Sequence, residues 1–63
     1  MDLFRITVWA WRDADPETDA PDWCHVYERL AEDRHDAEGI GDELADRDLV
    51  GDWEQIVAQA RRA

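Results

Sequence analysis

Residues 2–12, DLFRITVWAWR, alternate cleanly, with Phe4, Ile6, Val8 and Ala10 on one side and Leu3, Arg5, Thr7, Trp9 and Trp11 on the other. A period of two predicts a β-strand. One strand leaves its backbone donors and acceptors unpaired, so a partner must exist. The candidates are a short segment near Leu49 and Val50, a second strand at 23–28, or the same strand of a second subunit, which would make a homodimer.

Further along the period changes. Trp23, Val26, Tyr27, Leu30, Ala31 and Ala37 fall on one stripe at helical spacing, between Asp19 as N-cap, with Pro21 in the first turn, and Gly39 as stop. These signals predict a helix over 20–38. Trp23, His25 and Tyr27 also alternate with Cys24, Val26 and Glu28, residues of fair β propensity. Six apolar matches to the helical stripe stand against three on the better strand face, Cys24, Val26 and Leu30. The count favours the helix and keeps the strand as the alternative.

The segment IGDELADRD predicts a short helix over 40–47 with Ile40 and Leu44 inward. Asp52 and Gln55 form a capping-box pattern that opens a last helix over 52–62, burying Trp53, Ile56, Val57 and Ala60. Arg61 and Arg62 suit its negative end. The expected fold is therefore α+β and mainly helical, one strand followed by three helices in a single domain, 1–63. The alternative is a β-hairpin of 2–12 with 23–30, plus two helices.

Size limits the core, because a chain of 63 residues buries only about 60% of its unfolded surface. The single cysteine, Cys24, excludes an intrachain disulfide. Met1 is followed at once by Asp2 with no apolar run behind it, so no signal peptide or membrane span is expected. Together these features point to a cytoplasmic protein.

Charge changes the picture more than size does. The net charge is −10, with no Lys, Ser or Asn. Between Asp13 and Glu54, sixteen acids face only Arg29, Arg34 and Arg47, whereas the two ends are mildly basic. Such a chain is repelled by membranes and by nucleic acid.

Enzymatic chemistry has little raw material, since Thr7, Thr18 and Tyr27 are the only hydroxyl side chains. Cys24 and His25 are neighbours whose side chains diverge by about 100° on a helix. Asp13, Asp15, Glu17 and Asp19 have the odd-position spacing of a calcium loop, but Thr18 stands where glycine is needed and Cys24 where a bidentate Glu is needed. Glu32 and His35 have the spacing of a carboxylate-bridged metal site, with Glu28 on the same face, but the set sits opposite the apolar stripe. The expectation is no enzyme, no metal and no cofactor.

The carboxylates themselves are the remaining signal. On a helix over 20–38, Glu28, Glu32 and Asp36 are successive i,i+4 neighbours, which cost roughly 0.2–0.5 kcal/mol per pair. Glu38, Asp42 and Asp46 make a second row if the helical phase continues across Gly39 and Gly41. Each row places one charge about every 6 Å, and duplex DNA places one about every 3.4 Å per strand. Two adjacent rows approach that density.

In its size and in the acid-rich stretch DAPDWCHVYERLAEDRHDAEGIGDELADRD, the chain resembles the small phage-encoded DNA-mimic inhibitors, in particular anti-CRISPR proteins that block a Cascade-type complex. The resemblance implies an acidic inhibitor that occupies the basic nucleic-acid groove of a partner protein. The resemblance transfers no residue; this chain's own charge pattern gives Glu28, Glu32, Asp36, Asp42, Glu43 and Asp46 as the expected partner-binding residues, with Trp9 and Trp11 as interface anchors. The alternatives are an antitoxin-like or regulatory interaction subunit and a salt-adapted halophilic domain.

Overall fold

The structure is a computed structural model that describes residues 1–12 and 20–63. Its elements are β1 (Asp2–Trp11), β2 (Trp23–Ala31), α1 (Arg34–Asp48) and β3 (Gln55–Arg62). The three strands form one antiparallel sheet in the order β2-β1-β3, and α1 packs on one face of it. β2, α1 and β3 thus make a split β-α-β unit with β1 inserted between its two outer strands.

The expectation of a mainly helical chain is overturned, since most of the regular structure is strand. β1 is the predicted strand. Residues 20–38 do not form a helix, because 23–31 pair with β1 from Asp2↔Ala31 to Ala10↔Trp23. Residues 52–62 do not form one either, because 55–62 pair with the other edge of β1 from Phe4↔Arg62 to Trp11↔Gln55. The strand near Leu49 and Val50 does not form, and both edges of β1 are occupied within the chain.

Among the described residues one helix replaces the expected three. It begins at Asp33, whose side chain accepts from the Asp36 backbone N–H, while Asp36 reaches back to the Glu32 N–H. It then runs unbroken through Gly39 and Gly41 to Asp48. Gly39 is therefore not a stop, and the segment over 40–47 belongs to a longer element. Asp19 lies outside the described residues.

The core lies between α1 and the inner face of the sheet. β1 contributes Phe4, Ile6, Val8 and Ala10, as the alternation predicts, with Ile6 and Val8 fully buried. β2 contributes Tyr27 and Ala31, β3 contributes Ala60, and α1 adds Ala37 and Ala45, with Trp23, Ile40, Leu44 and Leu49 around them. The inward face of β2 is thus the one carrying Trp23, Tyr27 and Ala31, and not Cys24, Val26 and Leu30.

Small residues on α1 let the helix sit close to the strands. A Cβ on Gly41 would stand 2.5 Å from Ile6 Cγ2 and 3.4 Å from Ala58 Cβ. Close approach, not backbone freedom, is why glycine sits there.

Candidate partner-binding faces

The outer side of α1 is the acidic face. Asp36, Asp42, Glu43 and Asp46 are exposed, and the unbroken helix makes Glu38, Asp42 and Asp46 one i,i+4 row. Both arginines of the helix are engaged at its ends. Arg34 Nε lies 3.6 Å from Glu38, and Arg47 Nε lies 3.3 Å from Asp48. Asp42, Glu43 and Asp46 have no ion-pair partner among the described residues.

Glu38 is drawn partly inward. Its carboxylate accepts from the Ala60 backbone N–H at 3.5 Å, which blunts the outer edge of β3. At the other end of the helix Asp48 accepts from the Tyr27 hydroxyl at 2.8 Å. This bond, helped by Arg47, holds the Asp48 carboxyl below its usual range against a smaller opposing effect of desolvation. Burial, reinforced by Asp48, pushes the Tyr27 phenol up to about 12.

The other predicted carboxylates do not join this face. Glu28, Glu32 and Asp36 were expected as one row, but they occupy three different settings. Glu28 lies in β2 opposite Arg5, on the sheet face that α1 does not cover. Glu32 lies between β2 and α1, and Asp36 lies in the first helical turn. One carboxylate row exists, flanked by Asp36 and Glu43, where two were expected.

The second face is the uncovered side of the sheet. Register places Leu30, Glu28, Val26 and Cys24 of β2 beside Leu3, Arg5, Thr7 and Trp9 of β1, with Arg61, Gln59 and Val57 of β3 beyond. Leu3, Val26 and Leu30 are 42%, 47% and 60% exposed, so this face has a substantial apolar area open to solvent. Trp9 and Trp11, the predicted anchors, are half-buried members of the same face.

Sequence reasoning missed Val26, Leu30 and Val57 as members of this face, because each also fits a helical stripe. The available signal was the second side of β1. Leu3, Trp9 and Trp11 are too apolar for a side that meets only water, and an amphipathic central strand needs neighbours on both edges.

The remaining chemistry is sparse. Cys24 is exposed on the open face, while His25 projects to the opposite side, between the rings of Trp23 and Tyr27. Arg12 stacks on Trp53 at 4.6 Å from the ring centroid. Among the described residues there is no pocket and no cluster of three or more metal-binding side chains, Glu32 and His35 included. The calcium-like acids at 13, 15, 17 and 19 lie outside those residues. No helix of the described residues is long and apolar enough to cross a membrane.

No family model, curated protein or solved structure matches the chain. Its function must be argued from these two faces.

Proposed function

We propose that the chain is an acidic binding protein whose α1 face occupies the basic nucleic-acid groove of a partner, a CRISPR effector of the Cascade type being one such partner. The observation that carries this reading is the helix running unbroken through Gly39 and Gly41. It brings Asp42, Glu43 and Asp46 together as exposed carboxylates with no ion-pair partner among the described residues. Like charges at i,i+4 spacing oppose helix formation. A cationic groove turns that repulsion into attraction and gives steered, salt-sensitive association.

The docking surface differs from the one expected from sequence. Asp42, Glu43 and Asp46 form its centre and Asp36 its margin, while Glu28 belongs to the far side of the sheet. The test is a gel-shift competition in which the protein displaces DNA from a nucleic-acid-binding target at matched ionic strength. Reversing Asp42, Glu43 and Asp46 to Arg should abolish competition, raising salt should weaken it steeply, and Glu28→Arg should leave it unchanged. A triple reversal that competes like the wild type overturns the proposal.

A further inference from the structure

We propose that the open face of the sheet is the contact between two copies of this chain, packed face to face about a two-fold axis that runs along β1. The inference rests on the sheet face and is independent of the role given to the helix face.

Charge is the first argument. In a chain of net charge −10, the three-strand body of this face carries one acid, Glu28, and two bases, Arg5 and Arg61. Two strongly anionic molecules approach here without opposing their carboxylates, and each α1 points away from the other copy. A polyanionic or polycationic partner finds little on this face to attract it.

The layout of the face supplies the second argument. Glu28, Arg5 and Arg61 form one cross-strand row, acid on β2 and base on β3. Trp9, flanked by Cys24 and Val57, lies four residues further along β1 with Thr7, Val26 and Gln59 between. A two-fold axis along β1 exchanges the outer strands while keeping each level in place. Glu28 of one copy then meets Arg61 of the other in both directions, Arg5 and Trp9 each meet their own equivalents, and Cys24 meets Val57, so the two Arg5 side chains at the axis sit between two acid–base pairs. Apolar surface covers apolar surface on both sides of the charged row, which lies between the level of Leu3 and Leu30 and the levels of Thr7 and Trp9. A two-fold axis across the strands would lay the charged row over Trp9 and Val57, removing its charges from water without an opposite charge.

Area sets the strength. Three strands about 4.8 Å apart and eight residues long at about 3.4 Å each give a flat footprint of roughly 400 Å² per copy. Specific interfaces usually bury about 800 Å² per partner. The dimer is accordingly a weak one, with a dissociation constant in the micromolar range or above.

Sedimentation equilibrium on the full chain, loaded from about 10 μM to 1 mM, reads this directly. The expected result is a rise from the 7.4 kDa monomer toward twice that mass. Glu28→Arg and Arg61→Glu should each weaken dimerisation about tenfold or more, and the two together should restore it to within about threefold. Moderate salt should strengthen the wild-type dimer by screening the charge of the two copies, the reverse of its expected effect on competition for a basic groove. A mass of 7.4 kDa throughout, a dimer indifferent to both single reversals, or a double variant no better than the single ones overturns the proposal. A dimer that salt weakens overturns it too, and that reading needs no variant to fold.

Discussion

Tyr27 and Asp48, twenty-one residues apart, are joined by a 2.8 Å hydrogen bond from the phenol to the carboxylate. The bond ties the middle of the outer strand β2 to the last residue of α1. Because Tyr27 is itself a core residue, the helix end is anchored to a side chain that cannot move without disturbing the core. Along its length β2 pairs with β1 alone, so this bond and the core packing of Tyr27 and Ala31 are what tie that strand to the helix.

Removing the hydroxyl with Tyr27→Phe should keep the ring in the core and lower the Tm by a few degrees. It should also change the pH dependence. The folded pKa of Tyr27, about 12, lies above the ordinary phenol value of 10.0. Its contribution is therefore complete below the lower value and is lost as pH rises through the higher one. Asp48 works in the opposite sense. Its folded pKa lies below 3.8, so its contribution is present above that value and lost as pH falls through the depressed one. Thermal melts across the alkaline range should show a wild-type decline that Tyr27→Phe lacks. Parallel alkaline limbs for the two proteins would show that the phenol ionises as readily in the folded chain as in the unfolded one, so that neither burial nor the bond raises its pKa.

The two helical glycines should respond in opposite directions to alanine. Ala is favoured over Gly within a helix by about 0.8–1 kcal/mol. Around Gly39 a new Cβ meets nothing within 4 Å, so Gly39→Ala should stabilise by about that amount. At Gly41 the new Cβ stands 2.5 Å from Ile6 Cγ2, and Ile6 is fully buried in the central strand. Overpacking of this kind costs about 1–3 kcal/mol, which exceeds the propensity gain. Gly41→Ala should therefore lower the denaturation midpoint. Equal midpoints for the two variants would mean that α1 sits further from the sheet.

β1 was legible in the sequence because only one of its sides is strongly apolar in the core, so Phe4, Ile6, Val8 and Ala10 stand out at period two. β2 was not, because its inward Tyr27 and its outward Val26 and Leu30 are all apolar, and together they imitate a helical stripe. β3 was hidden for a related reason. Its inward residues are Ala58 and Ala60, kept small by the close approach of α1, while Ile56 and Val57 lie on opposite faces and supply most of its hydrophobicity. The helix was divided at Gly39 and Gly41 because a sequence does not show that a glycine can be kept for the space it leaves. The acidic helix face survived all this in part. Asp42, Glu43 and Asp46 lay within a predicted helix and also within the real one, whereas Glu28 and Glu32 depended on a helix that does not form.

The cap at Asp33 gives a sharper test of where α1 begins. Its side chain accepts the Asp36 N–H at 2.8 Å, satisfying a donor that the helix itself leaves free. Asp33→Ala should destabilise the protein by about 1 kcal/mol, and Asp33→Asn should recover most of that loss. Equal stability for all three proteins in a denaturant titration would place the start of the helix elsewhere.

The last prediction asks whether the carboxylates of α1 hinder the fold they decorate. Glu38, Asp42 and Asp46 repel along one helix, and among the described residues only Glu38 of the three has an ion pair and a backbone donor nearby. Salt shortens the reach of such repulsion to about 8–10 Å near physiological strength, so moderate salt should raise the Tm. Asp42→Asn and Asp46→Asn together should raise it in dilute buffer and reduce its response to salt, because the repelling charges are gone while the surface stays polar. That result would mean the two acids are kept at a cost to stability, as a face reserved for a cationic partner requires. The opposite result is equally informative. If the amide pair lowers the Tm, the acids stabilise the free protein and the case for a docking face weakens. If the wild type folds only in molar salt, the acids are a salt adaptation and the α1 face has no partner to explain.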